Sequence, residues 1–282
     1  MNQSAQWLEL KPGLRKYVYR WWPEQSPWAS VGIIHGLGEH GGRYHRLAQT
    51  LVDNGLAVSA FDQQGHGHSP ENRGWVRSYV GLLDDIAAFG EWNQKVYRDL
   101  PLVLLGHSMG GNLVINYALR DYPQPQALIA SSPMIRLTKP PSPAFVAVAR
   151  WLARLLPGFT LRSKVVAEHL MSDPLEQQLL NEDRLFHSQL SLRLGGGLLD
   201  SGEWAVQHAA RLRTPLLLTH GTHDTRTSHL ASAEFAAQAG DNCQLELFEG
   251  ELHDPFRGLQ RQRSIACFVE FVRRVSSPQV AQ

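Results

Sequence analysis

The residues best suited to chemistry begin at Gly106-His107-Ser108-Met109-Gly110, a G-x-S-x-G pentapeptide between the apolar run PLVLLG and a segment of helical spacing. A strand that reverses abruptly into a helix brings the residues two before and two after the turn together. Side chains there would collide, so both are glycine. The turning residue is held in strained geometry, with its side chain projecting from the sheet edge. The N-terminus of the following helix offers free N–H groups and partial positive charge to an alkoxide or an oxyanion. Ser108 is therefore expected to be a nucleophile, with Gly106, His107 and Gly110 completing its elbow.

A serine hydroxyl is a poor nucleophile near neutral pH and needs a base. After an elbow of this kind the chain order is serine, acid, histidine. The acid is expected just past a late strand, where PLLLTHGTHD supplies Asp224. The base is expected after the last strand, where LELFEGELHD supplies His253. Asp254 is set aside because adjacent side chains diverge, and His107 because it points away from the hydroxyl. Asp62 precedes the serine and reads as structural. The strand ALIASSP ends in Ser131, Ser132 and Pro133, with no carboxylate. His220 and His223 flank the acid and are expected to be hydrogen-bonded or solvated.

An oxyanion hole needs two donors aimed where charge develops. The N–H of Met109, next after the serine, is one. The glycine-rich loop HGLGEHGG after an earlier strand supplies the other, the N–H of Leu37. The chain holds 13 histidines, but neither HExxH nor Cys/His ligand spacing occurs, and no metal is expected.

The elements that must position these groups alternate. VGIIHG, LAVSAFD, PLVLLG, QALIASSP, TPLLLTHG and CQLELFEG read as strands, separated by the helical patterns of GRYHRLAQTLVDNG, YVGLLDDIAAFGEWNQKVYRDL, the segment after Ser108, Ala231–Ala239 and Ile265–Val275. Continuously apolar strands alternating with helices predict a mostly parallel sheet covered on both faces. KYVYRWW reads as an antiparallel edge piece. No strand pattern occurs in residues 134–204, which read as a helical insertion over the carboxyl edge of the sheet, where open α/β sheets bind ligands. The core is then 1–133 and 205–282. Within the insertion, SPAFVAVARWLARLLPGF is amphipathic, with Phe145, Val148, Ala149, Leu152, Leu155 and Leu156 on one face and Arg150 and Arg154 opposite. That face is expected to pack inward; the competing expectation is weak peripheral contact with a lipid surface.

Bulk properties exclude several other classes. A formal net charge of +1 with dispersed Lys and Arg gives no case for a nucleic-acid partner. Cys243 and Cys267 form no CxxC pair and read as buried free thiols. The opening MNQSAQWLELKPGLR lacks an apolar core of signal-peptide length, and no uncharged apolar run approaches the roughly 20 residues of a membrane span. The expected compartment is cytoplasmic. Oligomeric state is not readable.

HGLGEHGGRYHRLAQTL, FDQQGHGHS, GHSMGGNL, HGTHD and ELHD, in this order and spacing, resemble the monoacylglycerol lipase and lysophospholipase-like branch of the α/β-hydrolase superfamily, also labelled serine-aminopeptidase-like. The resemblance runs from about Leu14 to Val275. It implies an α/β-hydrolase fold with an inserted helical cap and Ser108, Asp224 and His253 as a triad. It also implies Leu37 and Met109 as oxyanion donors, an apolar acyl pocket, a small acyl-ester substrate and no cofactor. The sequence departs from relatives that carry Glu at or soon after the base histidine, having Asp254-Pro255-Phe256 there, and its loop TRTS after the acid is more polar. Hydrolysis of a thioester, amide or carbon–carbon bond by the same triad, or a non-catalytic ligand-binding role on the same fold, are the alternatives.

Overall fold

The computed structural model describes residues 1–156, 158–162 and 165–277. Its centre is an eight-stranded sheet in the order β1-β2-β4-β3-β5-β6-β9-β10. Five strands are buried along their whole length: β3 (Ala29–Ile34), β4 (Leu56–Phe61), β5 (Leu102–His107), β6 (Ala127–Ser131) and β9 (Leu216–Gly221). They are the continuously apolar runs, as a sheet covered on both faces requires. From β4 through β3, β5, β6 and β9 to β10 (Cys243–Phe248) every pairing is parallel. Helices α1 (His45–Asp53) and α8 (Arg261–Ser276) cover one face, burying Leu47, Leu51, Ile265 and Phe268. Helices α2 (Tyr79–Val96), α3 (Met109–Ala118) and α7 (His229–Ala239) cover the other, with Leu82, Ile86, Leu113 and Phe235 in its core.

The antiparallel end differs from the expected one. KYVYRWW lies in β2 (Leu14–Trp22), which pairs antiparallel with β4 but is not the edge. The edge is β1 (Asn2–Lys11), joined to β2 by a tight turn at Pro12-Gly13, with Gly13 at φ 78°. Only Leu10 of β1 is buried. A one-sided, largely polar edge strand carries no apolar run to announce it.

Between β6 and β9 come α4 (Pro143–Leu155), β7 (Thr160–Arg162), α5 (Pro174–Glu182), β8 (Gln189–Ser191) and α6 (Leu192–His208). β7 and β8 form an antiparallel ribbon of three residues each, too short to leave a period in the sequence. Helix α6 continues to His208, past the expected boundary at residue 204. Its Leu194, Leu198, Ala205 and Val206 join the core that holds Leu113 and Val114. Gly195, Gly196 and Gly197 lie inside this helix at a cost of about 1 kcal/mol each in propensity. At Gly197 a Cβ would stand 3.1 Å from the Tyr79 Cβ, so close packing against α2 accounts for that one; nothing in the structure explains Gly196.

Helix α4 overturns the inward-packing expectation. None of its residues is buried, and Phe145, Val148, Trp151 and Leu155 are more than half exposed. The half-buried residues of the helix are Val146, Ala149, Leu152 and Ala153, so of the expected inward face only Ala149 and Leu152 turn toward the protein. Cys243 and Cys267 are free but only half-buried, a correction to the expected full burial. Burial still pushes their thiols up, to about 12 and about 11. No helix among the described residues is long and apolar enough to cross a membrane.

Candidate active site

Strand β5 delivers the backbone to Ser108, whose φ and ψ are 53° and −113°, a conformation non-glycine residues rarely adopt. The turn is tight enough to require the glycines on either side. A Cβ on Gly106 would lie 2.2 Å from the Gly110 carbonyl oxygen, and one on Gly110 would lie 1.9 Å from the Ile34 carbonyl oxygen. The strained residue is held by backbone bonds: its N–H donates to the Ser131 carbonyl (2.9 Å), and its carbonyl accepts from the Met134 N–H (2.9 Å).

The three residues named from strand ends come together. His253 Nε2 lies 2.9 Å from Ser108 Oγ, and His253 Nδ1 lies 2.7 Å from Asp224 Oδ2. With Nδ1–H donated to the carboxylate, Nε2 is left to accept the serine proton. Asp224 is itself held: Oδ1 accepts from the N–H groups of Arg226 (2.6 Å) and Thr227 (3.0 Å), and Oδ2 from Thr227 Oγ1 (2.7 Å). Burial works to raise the Asp224 pKa, but His253 and His220 hold the carboxyl well below the usual range. Burial likewise opposes protonation of His253, yet the charge and hydrogen bond of Asp224 raise it above an ordinary imidazole.

Thr227 escaped sequence reasoning, and His220, expected to be hydrogen-bonded or solvated, is hydrogen-bonded to the acid itself. His220 is fully buried, donates from Nε2 to Asp224 Oδ2 (3.0 Å) and takes the Ser232 hydroxyl at Nδ1 (2.8 Å). Burial lowers its pKa, so it meets the carboxylate as a neutral donor. Its position four residues before the acid is the only trace it leaves in the sequence. His223 is exposed, and among the described residues no side-chain hydrogen bond joins it to Ser108, Asp224 or His253. Asp62 fills the structural part expected of it: Oδ1 accepts from Gly41 N (2.9 Å) and Oδ2 from His68 N (2.8 Å), tying together the two glycine-rich loops.

Leu37 and Met109 both line the cavity that Ser108 and His253 open into. The loop carrying Leu37 is pinned on each side. Gly36 N–H donates to Glu39 Oε2 (3.0 Å), the Gly36 carbonyl accepts from His35 Nδ1 (2.8 Å), and the Gly38 carbonyl accepts from His187 N–H (3.0 Å). The cavity measures about 120 Å³, and its wall is mostly apolar, from Met134, Leu137, Leu170, Met171, Phe186 and Leu198. The residues from Leu137 to Phe186 belong to the insertion between β6 and β9.

A second charged set lies behind the serine. His107 Nε2 lies 2.7 Å from Asp254 Oδ1. Asp254 Oδ2 accepts from Arg257 (2.8 Å), and Arg257 also donates to Glu39 Oε1 (2.7 Å). Thus Asp254 pairs with residues other than its neighbour His253, as expected. Among the described residues, one group of potential metal ligands has atoms within 4.8 Å of one another: His107, His253 and Asp254. These are the atoms already committed to the serine, to Asp224 and to the ion pairs.

A parallel sheet covered on both faces, with a strained serine between β5 and α3 and an acid and a histidine after later strands, is the architecture of the α/β-hydrolases. The chain belongs to the serine aminopeptidase S33 family, whose model matches residues 25–260. It is 32% identical to a monoacylglycerol lipase of Mycolicibacterium smegmatis, over 86% of this chain and 88% of that one. It is 30% identical to the monoglyceride lipase of Homo sapiens, over 83% and 78%. It is also 30% identical to an uncharacterized abhydrolase domain-containing protein of Dictyostelium discoideum, of which it spans only 27%. The crystal structure of Paleococcus ferrophilus monoacylglycerol lipase superposes with a TM-score of 0.83 at 29% identity, covering 93% of this chain and all of that one.

Proposed function

We propose that the protein hydrolyses carboxylic esters of lipid type, with monoacylglycerols as the substrate class, through an acyl-enzyme on Ser108. One observation carries this: a serine hydroxyl at a strained elbow, 2.9 Å from a histidine whose other nitrogen meets a buried carboxylate at 2.7 Å. The similarity to monoacylglycerol lipases supports the substrate class.

His253 takes the serine proton as Ser108 Oγ attacks the ester carbonyl. Asp224 keeps the tautomer and stabilises the imidazolium that forms. The N–H groups of Leu37 and Met109 receive the oxyanion, each worth about 10² to 10³ in rate. His253 then protonates the leaving alcohol. Water, activated in the same way, frees the fatty acid. The acyl chain lies along the apolar wall, and residues 134–204 act as a cap over it. A cavity of about 120 Å³ is smaller than the roughly 300 Å³ and more of ordinary ligand pockets, so a long chain requires the cap to move outward. The exposed face of α4 rests on the lipid surface that presents the substrate.

Activity against p-nitrophenyl esters and monoacylglycerols of graded chain length, for the wild type and Ser108→Ala, tests the reading. The wild type is expected to turn over acyl esters and to react with a fluorophosphonate. Ser108→Ala is expected to keep its fold and its affinity for substrate while turnover drops by orders of magnitude. Near wild-type turnover in that variant removes Ser108 from the mechanism.

A further inference from the structure

The groups held in place around the serine do not stop at Asp224. Behind the elbow, His107, Asp254, Arg257 and Glu39 form a continuous line of buried charged and polar side chains, each at most 6% exposed. They come from three separate pieces of chain: the end of β5, the loop after β10, and the loop after β3. At one end, His107 is fixed by two acceptors. Its Nδ1 lies 3.1 Å from the Ser131 carbonyl, the same oxygen that accepts the Ser108 N–H, and its Nε2 lies 2.7 Å from Asp254. At the other end, Glu39 takes the Gly36 N–H at 3.0 Å, the Tyr44 hydroxyl at 2.8 Å and Arg43 Nε at 3.1 Å. Arg257 bridges the two carboxylates at 2.8 and 2.7 Å, with its guanidinium over the Tyr44 ring.

Buried charges of this kind contribute little net stability compared with well-packed apolar residues, and breaking one pair leaves a costly lone charge. What such a line does supply is geometry. Its two ends are the backbone segments that carry Met109 and Leu37. Gly36 precedes Leu37, and His107 lies two residues before Met109. There is little slack: a Cβ on Gly36 would be 2.9 Å from Glu39 Oε2 and 3.4 Å from the Ser108 Cβ.

We propose that Asp254 and Glu39 are positioning residues that, through His107 and Arg257, hold the Ser108 elbow and the Gly36–Leu37 loop in one rigid frame, so that both N–H donors converge on the developing oxyanion. Neither carboxylate touches substrate. The frame is made in the ground state and acts on the transition state, because donors shifted by a fraction of an ångström still admit the ester but no longer match the oxyanion.

The proposal rests on Ser108 being the nucleophile, and the test separates the two. Wild type, Asp254→Asn, Glu39→Gln and the double variant are compared for kcat and KM on a p-nitrophenyl ester, for thermal unfolding, and for inhibition by an alkyl trifluoromethyl ketone. Ser108 Oγ adds to that ketone carbonyl, its proton passes to His253, and the resulting alkoxide occupies the oxyanion position. Each single variant is expected to stay folded, to lose about 10- to 100-fold in kcat with little change in KM, and to lose ketone affinity in the same proportion. The double variant is expected to fall well short of the product of the singles, because both break one frame. Folded single variants with wild-type kcat, or losses carried by KM with ketone affinity unchanged, overturn the proposal. If the carboxylate variants unfold, Arg257→Met removes Nη1, the one nitrogen that meets both carboxylates; a folded Arg257→Met with unchanged kcat overturns it equally. A wild type inert to both the ketone and a fluorophosphonate overturns the nucleophile reading, and this inference with it.

Discussion

At the scale of single residues, the decisive quantity is the proton on His253. Its pKa is raised above the ordinary value of about 6.5, against the effect of burial, by the charge and hydrogen bond of Asp224. Only the neutral ring can accept the serine proton, so kcat/KM is expected to fall as pH drops through a value above about 6.5. The other charged groups around the ring are Asp254, whose charge also raises it, and Arg226, whose charge lowers it. Asp224→Asn is expected to move the acidic limb to lower pH and to reduce kcat by about 10⁴, since the amide selects the wrong tautomer. A pH–rate profile of the two proteins checks both; an unmoved limb would mean that some other group sets it. His220→Gln leaves Asp224 with its remaining donors and is expected to have a much smaller effect.

At the scale of elements, α4 is the piece that does not behave like a helix of a folded interior. Phe145, Val148, Trp151 and Leu155 are each more than half exposed, with Phe159 close to that. Leu175 and Leu179 of α5 add to the same exposed apolar population. Exposed apolar surface of this extent generally marks a contact site, and here it belongs to the insertion that also supplies Leu170, Met171 and Phe186 to the cavity wall. Trp151→Glu with Phe145→Glu is expected to abolish co-sedimentation with phospholipid liposomes while leaving hydrolysis of a soluble p-nitrophenyl ester unchanged. Equal liposome binding by wild type and variant would dispose of the lipid contact. The end of the short β7–β8 ribbon ties the same insertion to the rest of the chain, where the Ser191 N–H donates to the Gly74 carbonyl (3.0 Å).

At the scale of the molecule, buried titratable groups join separate parts of the chain, and they set how the fold responds to acid. The rings of His35, His66 and His187 meet at tilted angles between the HGLGEHGG loop, the GHGHS loop and the insertion, with centroids 5.2 and 4.8 Å apart. Burial lowers all three, His187 to about 4. A histidine with a depressed pKa takes up a proton on unfolding, so its stabilising effect is present above about pH 6.5 and is lost as pH falls toward the folded value. Asp254, brought down to about 2 by His107 and Arg257 against the effect of burial, acts with the same sign at lower pH, where unfolded carboxyls take up protons near 3.9. Thermal midpoints are therefore expected to decline in two stages, first between about pH 6.5 and 4 and again below about 4. His187→Gln is expected to flatten the first stage only. A midpoint independent of pH between 7 and 4 would contradict this assignment.

Much of this was legible in the linear chain. The parallel core strands announce themselves because a strand buried on both faces must be apolar at every position, and the helices between them because one face is apolar at a 3.6-residue period. The proposed triad of Ser108, Asp224 and His253 followed from strand ends, since sheet topology carries the C-terminal ends of β5, β9 and β10 to one edge. The edge strand β1 was invisible because burial on one side leaves no run, and the β7–β8 ribbon because three residues define no period. The direction in which α4 turns its apolar face depends on what stands opposite, and amphipathicity alone is the same for a helix facing a core or a membrane. Thr227, the bond from His220 to Asp224 and the His107–Asp254–Arg257–Glu39 line were beyond reach for a related reason. The sequence by itself determined which groups can react and which elements carry them. Which distant charges meet, as Arg257 meets Glu39 at 2.7 Å across 218 positions of chain, was decided only in the tertiary structure, because pairing energy depends on distance and burial in space and leaves no spacing rule along the chain.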